Sequence, residues 1–494
     1  MSRQSGISVP LFSLASQGSW GIGEFADLPQ FARWALEAGQ AVLQILPINE
    51  MPPAERSPYS AMTAMALDPL YLSLPDVPDF GGLGGLTAFD AADQAALAAL
   101  QQSDRVQYVA VRALKDKWLR RSWDRFLRME VARGTQRSAR FDRFCADEAW
   151  WLDDYALFRA LHALHDEQQW QDWPEPLSRC EPKVVAQARA ALHVEATYRK
   201  YLQWLAAEQW DEAKRLAWPT RILGDLPFMI SADSPDVWTR QAEFRFDATI
   251  GVPPDAFSET GQDWGLPPWR HEVMAANDFA WMRRRARRYA ALFDGFRIDH
   301  LVGLYRTYIR PIDPDVPAFF EPADEPAQIA LGETLVEVLR SGGGPYVFAE
   351  DLGVIPPFVR DSMERLSLPG LKVLRWERQW DLPGEPLIDP REFPELSVAT
   401  TGTHDIEPLA ATPEGETEAD REAVLAVLLS AGSELTLIPL QDVFGWAARI
   451  NTPAVVDEVN WTWRLPWPVD TWLDREDTVA RADWLKALTR AADR

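Results

Sequence analysis

Asp294-Gly295-Phe296-Arg297-Ile298-Asp299-His300 is the stretch from which the rest of the chain can be read. It follows a helix-like run, Trp281 to Phe293, and opens on Asp-Gly, a turn signal. Phe296 and Ile298 then alternate with Arg297 and Asp299, the period of a strand. Residues two apart in a strand point the same way, so Arg297 and Asp299 share one face. An arginine beside an aspartate favours the ionised carboxylate. Such a carboxylate at a strand end can serve as a nucleophile or can be half of a structural ion pair.

Working outward, the same texture recurs. Ala41 to Pro47 reads as a buried strand, and so do Arg221–Pro227, Tyr346–Gly353, Leu371–Trp376, Ser397–Asp405 and Leu435–Asp442. Helical segments lie between most of them, and Phe25 to Ala38 is another helix. Strands alternating with helices argue for parallel βαβ units. Seven or more such units are enough to close a (β/α)8 TIM barrel, an α/β fold whose site lies at the C-terminal ends of the strands. Asp68 to Leu74 reads as a further extended piece. From Phe89 to about Ala217 helix formers dominate, with Trp118, Trp123, Trp150, Trp151 and Trp204 at roughly helical positions. The expected organisation is therefore a barrel start over 1–80, a large mainly helical insertion over 81–217, and the remainder of the catalytic barrel over 218–494.

Composition narrows the function. With 494 residues, 47% hydrophobic and 25% charged, the chain is a folded, soluble type. A net charge of −24 disfavours nucleic acid and anionic membrane as partners. The basic run Arg283 to Arg288 reads as the solvated face of a helix. Two cysteines, Cys145 and Cys180, make neither a disulfide framework nor a zinc site. No run approaches the ~18 apolar residues of a membrane span, and Met1 to Leu14 lacks a signal-peptide pattern, so a cytoplasmic location is expected. His162 and His165, three apart on a helix, are weak evidence for a metal. The 23 tryptophans are expected mostly in the core, with a minority lining a groove where indole faces can stack on sugars. Gly18 to Gly23 is glycine-rich, but no Gly-Lys-Ser/Thr follows to make a phosphate loop.

Three strand ends present a carboxylate: Asp299, Glu350 and Asp405; His300 and His404 flank two of them, and Asp225 ends a fourth strand. Acids clustered at one barrel mouth repel one another unless their protonation states are split. Glycoside chemistry needs such a split, with one carboxylate attacking the sugar and one acid protonating the leaving oxygen. Arg297 suits Asp299 to the first role. Glu350, with no basic neighbour in its motif, suits the second, and Asp405 would stabilise positive charge on the sugar. The same ligands could hold a divalent cation, but Arg297 beside the main carboxylate competes with one, so no metal is expected.

With these motifs in place the sequence resembles the 4-α-glucanotransferases, also called amylomaltases or disproportionating enzymes, of the α-amylase group of barrels. The resemblance runs from Gly18-Ser19-Trp20-Gly21-Ile22-Gly23 to Asn460-Trp461-Thr462-Trp463-Arg464. Its most specific motifs are Gly295 to His300, Ala349-Glu350-Asp351-Leu352-Gly353 and Thr401-Gly402-Thr403-His404-Asp405, joined by Pro253 to Gly265 and Gln441-Asp442-Val443-Phe444-Gly445. It implies that Asp299 is the nucleophile, Glu350 the general acid/base and Asp405 the transition-state stabiliser. It implies substrate-binding or orienting roles for Arg297, His404, Asp225, Tyr59, Phe257 and Trp264. It further implies a retaining double displacement through a covalent glycosyl-enzyme intermediate. Segments of α-1,4-glucan would move between maltooligosaccharides, and no cofactor is required. A retaining α-glucan hydrolase or a catalytically silent glucan-binding protein are the competing readings. The chain departs from the family's pattern at Leu266, Ile406-Glu407, His300 to Leu304 and Arg375-Trp376-Glu377-Arg378, positions that bear on donor and acceptor preference.

Overall fold

The computed structural model describes residues 3–254, 261–342, 346–453, 455 and 457–494. In chain order its strands are β1 (Gln4–Ser8), β2 (Val42–Gln44), β3 (Arg221–Leu226), β4 (Ala248–Val252), β5 (Gln262–Leu266), β6 (Gly295–Ile298), β7 (Thr307–Pro311), β8 (Phe319–Glu321), β9 (Tyr346–Ala349), β10 (Gly370–Val373), β11 (Ser397–Thr400) and β12 (Leu435–Pro439). Eight of them close a barrel in the order β1-β12-β11-β10-β9-β6-β3-β2, every neighbour parallel.

The eighth strand, β1, is absent from the sequence reading. Gln4-Ser5-Gly6-Ile7-Ser8 holds a single aliphatic residue, yet Ser5, Gly6 and Ile7 are buried because β1 pairs with β2 on one side and β12 on the other. A side chain at Gly6 would meet the Val42 carbonyl oxygen at 2.4 Å, so this seam of the barrel closes on glycine. Inside, Val42, Leu223, Phe348, Leu371, Val373, Val398, Leu435 and Leu437 fill the barrel as a packed core. A larger apolar layer lies between the strands and the surrounding helices.

Between β2 and β3 the chain runs through long helices, including Tyr108–Met129, Ala149–Leu164 and His193–Ala217. Trp118, Trp123, Trp151 and Trp204 are buried there, while Trp150 is exposed. Trp123, Phe126, Phe141, Tyr201 and Trp204 form one aromatic cluster. Trp210 donates to the Leu292 carbonyl and ties these helices to the barrel wall. Asp68–Leu74 is not extended: Pro69–Tyr71 forms a 3-10 turn whose first residue is a proline and whose Leu70 N–H is accepted by Asp68.

The basic run is also only half as expected. On the helix Ala280–Leu292, Arg284 and Arg287 are exposed, but Arg285 and Arg288 are buried. Residues three apart share a helix face, so the run splits in two. Arg285 donates to the Pro227 and Phe228 carbonyls and Arg288 to that of Met65.

Beyond the barrel's C-terminal end, β4 and β5 from the β3–β6 connection join β7 and β8 from the β6–β9 connection in an antiparallel sheet, order β5-β4-β7-β8. The sequence analysis names no strand in this region, since its pairing is between segments far apart. Among the described residues no helix is long and apolar enough to cross a membrane.

Candidate active site

Strand register builds the site. In the β3–β6 pair Asp225 lies opposite Arg297. The chain then continues the ladder past the strands: Asp299 N–H donates to Leu226 O, Glu350 N–H to Ile298 O, and Leu301 N–H to Glu350 O. Asp299 and Glu350 are thereby fixed at adjacent strand ends. His300 adopts a left-handed backbone, φ +47°, uncommon for a residue with a side chain. That turn aims its N–H at Glu350 Oε2, 3.1 Å away.

Arg297 is the hub. Its guanidinium is buried. Nη1 donates to Asp225 Oδ2 at 2.6 Å, and Nη2 to Glu350 Oε2 at 2.6 Å. The same Nη2 stands 3.1 Å from Asp299 Oδ1. Arg297 and Asp299 do share a face, but the arginine serves three carboxylates and approaches Asp299 least closely. Phe228 N–H adds only a long contact to Asp299, 3.4 Å.

This geometry crowds three carboxylates around one guanidinium. Burial, with Glu350 and Asp225 nearby, pushes the Asp299 carboxyl up to about 8 against the pull of Arg297. Burial acts on Glu350 as well, but Arg297 and the His300 N–H outweigh it and hold its carboxyl below the usual glutamate range. Asp225 is raised by burial despite Arg297. The reading that paired Arg297 with Asp299 rested on sequence adjacency, whereas the shorter hydrogen bonds run across strands to Glu350 and Asp225.

Asp405 is held apart from this cluster. Asn451 donates to Oδ1 at 2.6 Å, His404 Nε2 lies 3.4 Å from Oδ2, and Arg449 donates to the backbone carbonyl at 2.8 Å. Burial would raise its carboxyl, but His404 and Asn451 prevail and set it at about 2. Burial opposes the charge of His404 in turn, and Asp405 and Asp225 more than offset it, so its pKa is raised. Tyr59 reaches in from the β2–β3 connection: its hydroxyl donates to Asp225 at 2.8 Å, and its ring stacks on His404 at 4.9 Å. Trp461 packs on the same imidazole at 5.5 Å.

These groups open onto a cleft of about 1100 Å³. Asp299, Glu350, Asp405, His404, Tyr59 and Trp264 all line it. Trp264, on β5, stands edge-on to the His300 ring at 4.9 Å. Asp225 and Arg297 support the site from beneath. Phe257 lies outside the described residues. Where the carboxylates converge sits a guanidinium, and among the described residues no three His, Cys, Asp or Glu side chains are grouped to hold a metal. His162 instead bridges Glu167 and Asp233, each at 2.7 Å.

Sequence reasoning missed Asn451, Arg449 and the N–H groups of Phe228 and His300. Asn451 and Arg449 sit in an irregular loop with no strand end to mark them. The backbone donors follow from conformation alone.

The sequence model of the 4-alpha-glucanotransferase family matches residues 9–470, nearly the whole chain. The chain belongs to the 4-alpha-glucanotransferase family. A family member from Thermus thermophilus is 33% identical over 91% of this chain and 92% of its own length. A 4-alpha-glucanotransferase from Chlamydia pneumoniae is 29% identical over 94% and 91%. Among solved structures, the amylomaltase from Streptococcus agalactiae in complex with acarbose superposes with a TM-score of 0.83, 26% identity and coverage of 100% of this chain and 99% of that one. The barrel and its helical region are thus those of a 4-alpha-glucanotransferase, and the protein is an enzyme of that type.

Proposed function

We propose that the protein moves segments of α-1,4-glucan between maltooligosaccharides by a retaining double displacement, with Asp299 as nucleophile, Glu350 as general acid and base, and Asp405 as stabiliser of the charged sugar. The observation that carries this reading is the shared nitrogen of Arg297. Asp299 Oδ1 and Glu350 Oε2 lie 3.1 and 2.6 Å from the same Nη2. Two oxygens so placed are less than ~6 Å apart, which suits the close pair of a retaining enzyme and is too short for the ~6.5–9.5 Å of an inverting pair.

Glu350 protonates the glycosidic oxygen while Asp299 attacks the anomeric carbon. The bond to the leaving chain breaks and a glycosyl ester forms on Asp299. Asp405, an anion at neutral pH, faces the positive charge that develops on the ring. Glu350, now ionised, takes the proton from the 4-hydroxyl of an incoming glucan, and that oxygen displaces Asp299. The Asp299–Glu350 pair needs one proton at the start of the cycle, gives it to the leaving oxygen, and regains it from the acceptor's 4-hydroxyl. Burial and crowding around Arg297 retain one proton in the pair at neutral pH, and the reactive arrangement has it on Glu350. A glycosidic oxygen seated beside Glu350 accepts a hydrogen bond only from the protonated acid, and the sugar's developing charge favours ionised Asp299. Both draw the proton to Glu350 without uptake from solvent.

Its two cysteines are free thiols, which supports work in a reducing cytoplasm. Incubation with maltotriose tests the reaction: oligosaccharides longer than the donor are expected. A product mixture of glucose and maltose alone would assign the same chemistry to hydrolysis.

A further inference from the structure

The connection after β10 carries a feature that the site described above does not use. Residues 374–388 fold into a tied hairpin. Gln379 N–H donates to Pro386 O, Ile388 N–H donates to Glu377 O, and Arg378 bridges antiparallel to Leu387. Lys372 pairs with Glu377 at 3.3 Å and fixes the hairpin's root to the strand. A hairpin so well bonded would be expected to bury its aromatic residues. Instead Trp380 is 65% exposed, Trp376 39% and Leu387 52%. Large apolar side chains presented together on ordered backbone mark a binding surface.

The hairpin's place says what it binds. It rises from the C-terminal end of β10, between β9, which leads to Glu350, and β11, which leads to Asp405. Arg375, next to Trp376, donates to the Glu407 carbonyl at 2.5 Å. Glu407 in turn pairs with Arg449 at 2.5 Å, and Arg449 holds the Asp405 carbonyl. The indole platform is therefore braced against the loop that carries a cleft carboxylate. Trp380 lies four residues beyond Trp376, at most ~14 Å of chain. The cleft, at about 1100 Å³, has the size of a site for a small molecule. An α-1,4-glucan chain is longer and must leave it over the rim.

We propose that the 374–388 hairpin is a remote glucan platform, with Trp380 and Trp376 stacking on the apolar faces of glucose units that lie outside the cleft. This rests on the function proposed above. Indole is the side chain suited to such a surface, since its face is apolar and its N–H can meet a sugar hydroxyl. The platform gives long chains an added hold that short ones cannot reach, so it favours long donors or acceptors over maltotriose.

The test compares Trp380→Ala with the wild type on maltotriose and maltoheptaose. Wild-type protein that builds no longer products from maltotriose would refute the function, independently of the platform. Where it does build them, Trp380→Ala is expected to lower the ratio of kcat/KM for maltoheptaose over maltotriose by about fivefold, the effect of one lost aromatic stack. The change should fall on KM for maltoheptaose, and Trp380→Phe should restore most of it. A ratio within twofold of wild type, or an equal loss on both sugars, overturns the platform.

Discussion

Two regions of this molecule bury charge, and they do so in opposite ways. In the helical region between β2 and β3, Asp79 receives Arg125 at 3.0 Å, Arg137 at 2.6 Å and the Tyr201 hydroxyl at 2.8 Å. One acid has two cations. Asp68 likewise has Arg112 in a two-pronged pair, with two backbone N–H donors besides. At the barrel mouth the proportion inverts, and one guanidinium serves Asp225, Asp299 and Glu350. Satisfied acids make a rigid scaffold. Acids that outnumber their cation cannot all ionise, and the proton left among them is the one the proposed mechanism uses.

The sharpest break of this comparison comes from neutralising one acid in each region. Asp299→Asn removes the proposed nucleophile and should lower kcat by at least about 10⁴-fold. The protein should stay folded, because Asn is close in shape to Asp and Arg297 keeps its two shorter bonds, to Asp225 and Glu350. Circular dichroism and a maltotriose assay on the same preparation check both halves. A variant that kept wild-type turnover would assign the attack to another group.

How far this contrast could be read from sequence depends on which contacts are local. Phe296–Ile298, Val347–Ala349 and Val398–Thr400 are short strands that lead to Asp299, Glu350 and Asp405, and that pattern was visible residue by residue. The barrel followed from their alternation with helices. β1 was not visible, because its burial comes from closing the ring and not from its own side chains. The sheet of β4, β5, β7 and β8 was hidden for a similar reason, since its partners come from two separate connections. Tyr59 meets Asp225 across 166 residues and was assigned by resemblance, without any local signal. Sequence adjacency pairs Arg297 with Asp299 alone, whereas its shorter bonds run across strands to Asp225 and Glu350. Non-local pairing, not residue type, sets the limit in each case.

The scaffold half of the comparison is tested by Asp79→Ala. Asp79 has no exposed side-chain surface, so its loss leaves Arg125 and Arg137 facing one another without their shared anion. Breaking a buried pair of this kind costs about 3 kcal/mol. The two guanidiniums differ in what remains to them: Arg137 still lies over the Phe126 and Trp204 rings, at 5.0 and 5.1 Å. Urea unfolding should show a lower midpoint. Turnover per folded molecule should hold, since the site lies on the barrel loops. A large drop in kcat without loss of stability would mean that this region shapes the site directly.

The smallest effect is a titration. Asp299 and Glu350 hold one proton between them from below the usual glutamate range up to about 8. Above that the last proton leaves, Glu350 cannot donate, and kcat/KM should fall about tenfold per pH unit. Below it the pair keeps its proton, so the profile should stay flat through neutrality. The position of the alkaline limb depends on crowding. Asp225 is one of the charges that raise Asp299, and it also occupies Arg297 Nη1 at 2.6 Å. Asp225→Asn removes the repulsion and frees the guanidinium for the remaining acids. Both changes favour ionised Asp299, so the limb should move to lower pH, by up to about one unit. A limb that stayed at wild-type position, or moved up, would show that the proton is held by something other than the excess of acids over their one arginine.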